Sequence, residues 1–266
     1  MIIVGERLNS SRPSVLKALS SNDEQFLIQE AKKQEEAGAN YIDINTAALL
    51  EKEIPSLECA IPLLQRVLSV PLSIDTPNKE AMKAGLQLHK GQALLNSLTG
   101  ETKRLKEFLP IIKAFKPKII ILCFDDNGLP KTSDQELSVA RNMISFLDKE
   151  GINPQDVFID PLVRPIGVDQ QSGKLFLESL EKIKKNLPKI KTIAGISNVS
   201  FGLPKRRLLN HTFLTLAIQS GLDAAICDPL DKKVLSSIKA SEALLGKDPY
   251  LKKYLQSIRQ NDKKSD

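Results

Sequence analysis

The chain has 266 residues, 41% hydrophobic and 26% charged, an ordinary balance for a globular protein and enough for one large domain or two small ones. Aromatic content of 5% with no Trp argues against stacking platforms for single-stranded nucleic acid, and no apolar run approaches the roughly 20 residues of a membrane span. The net charge of +6 comes from scattered Lys and Arg, as in LEKIKKNLPKIK (180–191), and reads as solvated helix surface with a general attraction for anions.

In chain order, IIVGERLN (2–9) is the first strand-like run. It meets Glu6 after a short apolar stretch, too brief for a signal peptide, and the expected location is cytoplasmic. The helical region DEQFLIQEAKKQEEAGAN (23–40) follows, with Gly38 as its stop. Further runs are YIDINTAA (41–48), PLSIDTPN (71–78), GQALLNSLTG (91–100) and KIIILCFDDNG (118–128). Next comes the helix pattern SVARNMISFLDKEG (138–151), in which Val139, Met143, Phe146 and Leu147 share a face and Gly151 ends it. DVFIDPLV (156–163) precedes GKLFLESLEKIKKNLP (173–188), where Phe176, Leu180, Ile183 and Leu187 repeat at helical spacing. TIAGISNVS (192–200) and LDAAICDPL (222–230) complete eight apolar runs, and RQNDKKSD (259–266) reads as a polar tail behind a single domain over 1–258.

Continuous apolar runs suit strands buried on both faces, and eight strand–helix units in this length match an α/β fold of the (β/α)8 TIM barrel type. A doubly wound sheet is the competitor, but VGERLN is no glycine fingerprint. Three cysteines, Cys59, Cys123 and Cys227, lack CxxC spacing; Cys123 and Cys227 sit in apolar runs and read as reduced, buried thiols.

The strand ends are polar: Glu6, Arg7 and Asn9; Asp43 and Asn45; Asp75 and Asn78; Asn96; Asp125 and Asp126; Asp160; Asn198; Asp228. In a barrel such ends converge on one mouth, where active sites of this fold are built. Asp and Asn also cap helices, and Asn78 reads as a cap, but a carboxylate inside a strand, such as Asp43 or Asp75, needs a partner. The two histidines, His89 and His211, fall in helical patterns, so no metal cluster and no Ser-His-Asp triad is expected. A mouth of Asp and Asn suits a neutral heterocycle with amine and amide-like edges.

GERLN (5–9), DINT (43–46), SIDTPN (73–78), NSLTG (96–100), IDPLV (159–163), GISNVSFGLPKRRLLN (195–210) and GLDAAICDPLD (221–231) together resemble the pterin-binding methyltransferases. The resemblance is strongest to the methyltetrahydrofolate:corrinoid/iron–sulfur protein methyltransferases of acetyl-CoA-forming anaerobes. The folate module of cobalamin-dependent methionine synthase shares the pattern. It implies a dihydropteroate-synthase-like barrel, methyltetrahydrofolate as methyl donor, and the cob(I)amide of a corrinoid protein as acceptor. It also implies a homodimer working in the acetyl-CoA pathway.

By that resemblance Asp75, Asn96 and Asp160 hold the pyrimidine edge of the pterin, and Asn198 lies near N5. Gly195 and Ser197 let the strand approach the ring, and Arg206 reaches toward the aminobenzoyl-glutamate tail. Asn198, Asp160 and Asp75 are the expected catalytic set, with a water relay supplying the N5 proton. Where the acetogenic members carry a glutamine after SNVS, this chain has Phe201. Two rival readings remain: a condensing enzyme like dihydropteroate synthase, whose late Ser-x-Lys-Arg motif is replaced here, and a non-catalytic pterin-binding subunit of a corrinoid complex.

Overall fold

The computed structural model describes residues 1–262. Eight parallel strands close a barrel in sequence order, with β1 returning to pair with β8. They are β1 (Ile2–Asn9), β2 (Tyr41–Asn45), β3 (Leu72–Asp75), β4 (Leu94–Thr99), β5 (Lys118–Leu122), β6 (Val157–Asp160), β7 (Lys191–Gly195) and β8 (Ala224–Cys227). Each of the eight apolar runs supplies one strand, so the (β/α)8 reading holds.

Two helices, α1 (Pro13–Ser21) and α2 (Glu24–Glu36), cross from β1 to β2. The later crossovers carry α3 (Glu53–Gln65), α4 (Lys79–Leu88), α5 (Thr102–Phe115), α6 (Ser133–Lys149), α7 (Ser172–Asn186) and α8 (Arg206–Gln219). After β8 come α9 (Lys232–Leu244) and α10 (Lys252–Asp262). The boundary expected after residue 258 falls within α10: residues 259–262 continue that helix, and 263–266 lie outside the described residues. Gly38 and Gly151 end α2 and α6 at φ +99° and +77°, the left-handed region where a Cβ is penalised. Asn78 caps α4, accepting from the Glu80 and Ala81 amides at 3.0 and 3.4 Å.

Successive strand side chains point to opposite faces, so a run apolar at every position feeds two layers. Val4, Tyr41, Leu94, Ile120, Phe158, Ile193 and Ala224 pack inside the barrel. Their neighbours Ile3, Ile42, Leu95, Ile119, Ile159, Ala194 and Ala225 join the larger layer between strands and helices. The same period positions the site. Two residues beyond Val4, Tyr41, Leu94, Phe158 and Ile193 stand Glu6, Asp43, Asn96, Asp160 and Gly195, all directed at the barrel mouth.

Candidate active site

At the C-terminal ends of the strands a cavity of about 720 Å³ opens, within the range of roughly 300–1,000 Å³ typical of small-molecule pockets. Its wall includes Asp75, Asn96, Asp160, Gly195, Ser197, Asn198 and Arg206, which brings every expected site residue to one place. Asp125 and Asp126 are the exception among the strand-end acids. β5 ends at Leu122, and the chain turns before reaching them. Asp125 closes a local turn through the Asn127 amide at 2.9 Å, and Asp126 holds the start of α5 through the Thr102 amide at 3.1 Å. Neither borders the cavity.

One wall is a chain of oxygen acceptors. Asp43 accepts from the Ser73 hydroxyl at 2.6 Å and from Asn96 Nδ2 at 3.2 Å. Asn45 Nδ2 donates to Asp75 Oδ2 at 2.9 Å, and the Leu162 amide donates to Asp160 Oδ1 at 2.8 Å. Asn96 Oδ1, Asp75 Oδ1 and Asp160 Oδ2 make no hydrogen bond among the described residues. Each of these cavity-lining side chains thus spends one polar atom on bracing and keeps an oxygen for a ligand.

Burial raises the pKa of these acids. Asp160 is pushed up to about 7 by burial, and Asp75 to about 6 by burial with Glu53 nearby. Burial, then the Asp75 charge, lifts Asp43 well above the usual carboxylate range. Glu6 is raised to about 7, first by burial and then by the Asp228 carboxylate. Hydrogen-bond donors from a ligand would offset this desolvation, the physical reason for clustering carboxylates around a heterocycle rich in N–H groups.

The opposite wall is the turn after β7. Residues Ile196–Ser200 form a single 3-10 turn that leaves Asn198 exposed to the cavity. A Cβ added at Gly195 would stand 3.2 Å from Asn198 Nδ2, so glycine leaves this side chain room to move. Ser197 Oγ donates to Glu6 Oε2 at 3.3 Å. Arg206 Nη2 donates to the Ser197 carbonyl at 2.8 Å, and its Nε to Ser200 Oγ at 3.1 Å. Arg206 thus braces the turn through two of its nitrogens while bordering the cavity.

Arg7 does not border the cavity. It pairs with Glu30 on α2 and, through Nη1 at 2.6 Å, with Asp228. His211 does border it, its Nε2–H donating to Asp231 Oδ2 at 3.0 Å. Burial acts against Asp231 ionising, yet the His211 hydrogen bond and the Lys233 and Val234 amides hold its pKa below the ordinary value. Arg12, Arg207 and Asn210 were likewise not anticipated. The signal was available: α8 starts at Arg206, so Arg206 and Asn210, like Arg207 and His211, are one turn apart at its start beside the mouth. Among the described residues no group of three or more His, Cys, Asp or Glu is placed to hold a metal ion. Cys123 and Cys227 are buried free thiols.

Residues 5–228 match the pterin binding enzyme family. The chain belongs to that family. A methylcorrinoid:tetrahydrofolate methyltransferase of Eubacterium limosum is 36% identical over 262 residues, 98% of this chain and 97% of that one. A methionine synthase of Mycobacterium leprae (strain TN) is 25% identical over 239 residues, and this chain spans 20% of its length. Among solved structures, dihydropteroate synthase from Xanthomonas albilineans in complex with 7,8-dihydropteroate superposes with a TM-score of 0.73, covering 92% of this chain and 93% of that one. At 18% identity this last likeness is one of fold alone. Among the described residues no helix is long and apolar enough to cross a membrane.

Proposed function

We propose that this enzyme moves a methyl group between N5 of tetrahydrofolate and the cobalt of a corrinoid carried by a separate protein. The observation that carries this reading is the set of oxygens from Asp75, Asn96 and Asp160 left unpaired among the described residues, set in the same cavity as the exposed amide of Asn198. The pyrimidine edge of a pterin offers N–H and NH₂ donors, which three acceptors on one cavity wall can satisfy. The near-full-length likeness to a methylcorrinoid:tetrahydrofolate methyltransferase supports the choice over pterin condensation, which has only the fold behind it.

That relative's name runs the transfer from methylcorrinoid to tetrahydrofolate, opposite to methyl loss from N5. One transition state serves both directions, and the demands on the protein are the same. The corrinoid supplies a metal that exchanges the methyl. This chain's residues do the rest: the acceptor wall orients the pterin, and Asn198 hydrogen-bonds N5 as its charge changes. Loss of one such preorganised bond costs roughly 2–4 kcal/mol of barrier. Arg12 and Arg207, which border the cavity, are placed for an anionic tail better than Arg206. Phe201, 67% exposed beside the cavity, offers an apolar rim to the incoming corrin. The finer reading is a cytoplasmic homodimer in the acetyl-CoA pathway, with a corrinoid iron–sulfur protein as partner; it rests on the sequence resemblance.

The test is anaerobic and spectroscopic. Mixing the protein with methyltetrahydrofolate and chemically reduced cobalamin is expected to convert the reduced cobalamin band into that of methylcobalamin. Asn198→Ala is expected to slow this by roughly 30- to 1,000-fold. Pterin binding without transfer, across several corrinoid acceptors, would leave a binding subunit and end the methyltransferase reading.

A further inference from the structure

The reaction requires a proton at N5 in one direction and its removal in the other, and the Asn198 amide is not an acid at neutral pH. Glu6, like Asp75 and Asp160, has a single bracing contact, and its contact is the longest of the three. Its one hydrogen-bond partner among the described residues is the Ser197 hydroxyl, 3.3 Å away. The neighbouring Asp228 is engaged by Arg7 at 2.6 Å and by the Leu230 amide at 2.9 Å, so it serves as a fixed negative charge beside Glu6. Ser197 immediately precedes Asn198, and its carbonyl is clamped by Arg206 at 2.8 Å, which holds the hydroxyl and the amide in one rigid turn.

We infer that Glu6, acting through the Ser197 hydroxyl, is the residue that exchanges the proton with N5 during methyl transfer. This rests on the methyltransferase reading. In the direction of methyl loss, Glu6 passes its proton to Ser197, and Ser197 passes its own to N5. The N5–carbon bond then breaks with its electron pair left on nitrogen, and the methyl carbon takes the electron pair of the reduced corrinoid metal. Glu6 ends as a carboxylate and is reprotonated from solvent through the mouth. In the other direction the carboxylate accepts the proton that N5 sheds as the methyl arrives. Ser197 both gives and receives a proton each time and is unchanged.

The surroundings suit that task. Burial and Asp228 keep Glu6 protonated to about pH 7, while the Ser197 hydrogen bond, Arg12 and Arg206 limit the rise. The remaining titratable neighbours are Asp43 and the buried Cys227 thiol. A donor whose pKa lies near the working pH is the best compromise for proton transfer in both directions.

The experiment measures the pH profile of methyl loss from methyltetrahydrofolate to chemically reduced cobalamin, for wild type, Glu6→Gln, Ser197→Ala and the double variant. The wild-type rate is expected to be level below about pH 7 and to fall above it. In Glu6→Gln, kcat is expected to drop by ~10²-fold, the low end for general acid catalysis, with that limb gone. Ser197→Ala is expected to lose a similar factor, and the double variant no more than either single one. Should Glu6→Gln fail to fold, Ser197→Ala alone must show the lost limb. A limb that persists in the folded variants, or losses that multiply in the double variant, would overturn the relay while leaving the methyltransferase intact. No transfer by wild type would overturn both.

Discussion

The interior of this barrel has two ends, built from the same strands and opposite in chemistry. At the mouth, Glu6, Asp43, Asp75 and Asp160 have pKa values raised by burial, and several of their oxygens have no partner among the described residues. At the floor, the first residues of the strands close the barrel with long side chains that satisfy one another. Lys118 Nζ donates to the Tyr41 hydroxyl at 3.1 Å and lies over its ring, and Lys191 Nζ sits 5.5 Å from the Phe158 ring centroid. Between them is one apolar layer. The floor spends its polar groups on stability, whereas the mouth leaves them available and forgoes stability to do so.

The sharpest way to break this division is at the apolar layer. Phe158 is fully buried within the barrel, directly below Asp160 on the same strand face. Phe158→Ala is expected to cost about 3–5 kcal/mol of unfolding free energy by denaturant titration, the largest effect considered. The folded fraction should retain its rate. At the mouth the balance reverses: Asp160→Asn is expected to weaken pterin binding about 10- to 100-fold by calorimetry, from the ~1.5–3 kcal/mol of a hydrogen bond to a charged group. Its folding stability at pH 8 should stay level or rise. A mouth variant that lost stability and kept its affinity would erase the distinction.

Most of the strands could be read from the chain because they are apolar on both faces (β3, with its buried Ser73, is not), and the polar residue two positions past the last interior one marks the mouth. That rule finds Asp43, Asn96 and Asp160 directly. It fails at Asp125 and Asp126, since nothing local to KIIILCFDDNG says that β5 stops at Leu122 and turns. His211 was hidden for the opposite reason: its helical spacing is real, and only the placement of α8's first turn beside the mouth turns it toward the cavity. The role of Arg206 depends on a backbone carbonyl in a folded turn, which no side-chain pattern encodes.

The buried carboxyls at the mouth and behind it should also carry the pH dependence of folding. Asp160 rises from 3.8 to about 7, and Glu136 on α6, buried and close enough to feel Asp160, from 4.5 to about 8. Both are raised, so the folded protein holds these protons more tightly than the unfolded chain. The stabilising contribution is complete below about pH 4 and lost as pH climbs through 7 and 8. Tm is expected to fall between pH 5 and 9, and Glu136→Gln to flatten that slope by on the order of 1–3 kcal/mol. A Tm that rose over this interval would contradict the burial of these carboxyls in their neutral form.

The smallest effect belongs to the floor. Lys118→Met keeps the apolar stem that packs over Tyr41 and removes the ammonium with its hydrogen bond. The contact is partly exposed, so its loss is expected to cost about 1 kcal/mol, the sum of a modest cation–π contribution and one screened hydrogen bond. Methyl transfer and pterin affinity should not move, because the layer of Val4, Leu94, Ile120, Phe158 and Ile193 stands between that lysine and the cavity and passes no charge or proton. A change beyond twofold in kcat/KM would mean that the floor sets the position of the strand ends, and that the two halves of the barrel interior act as one device.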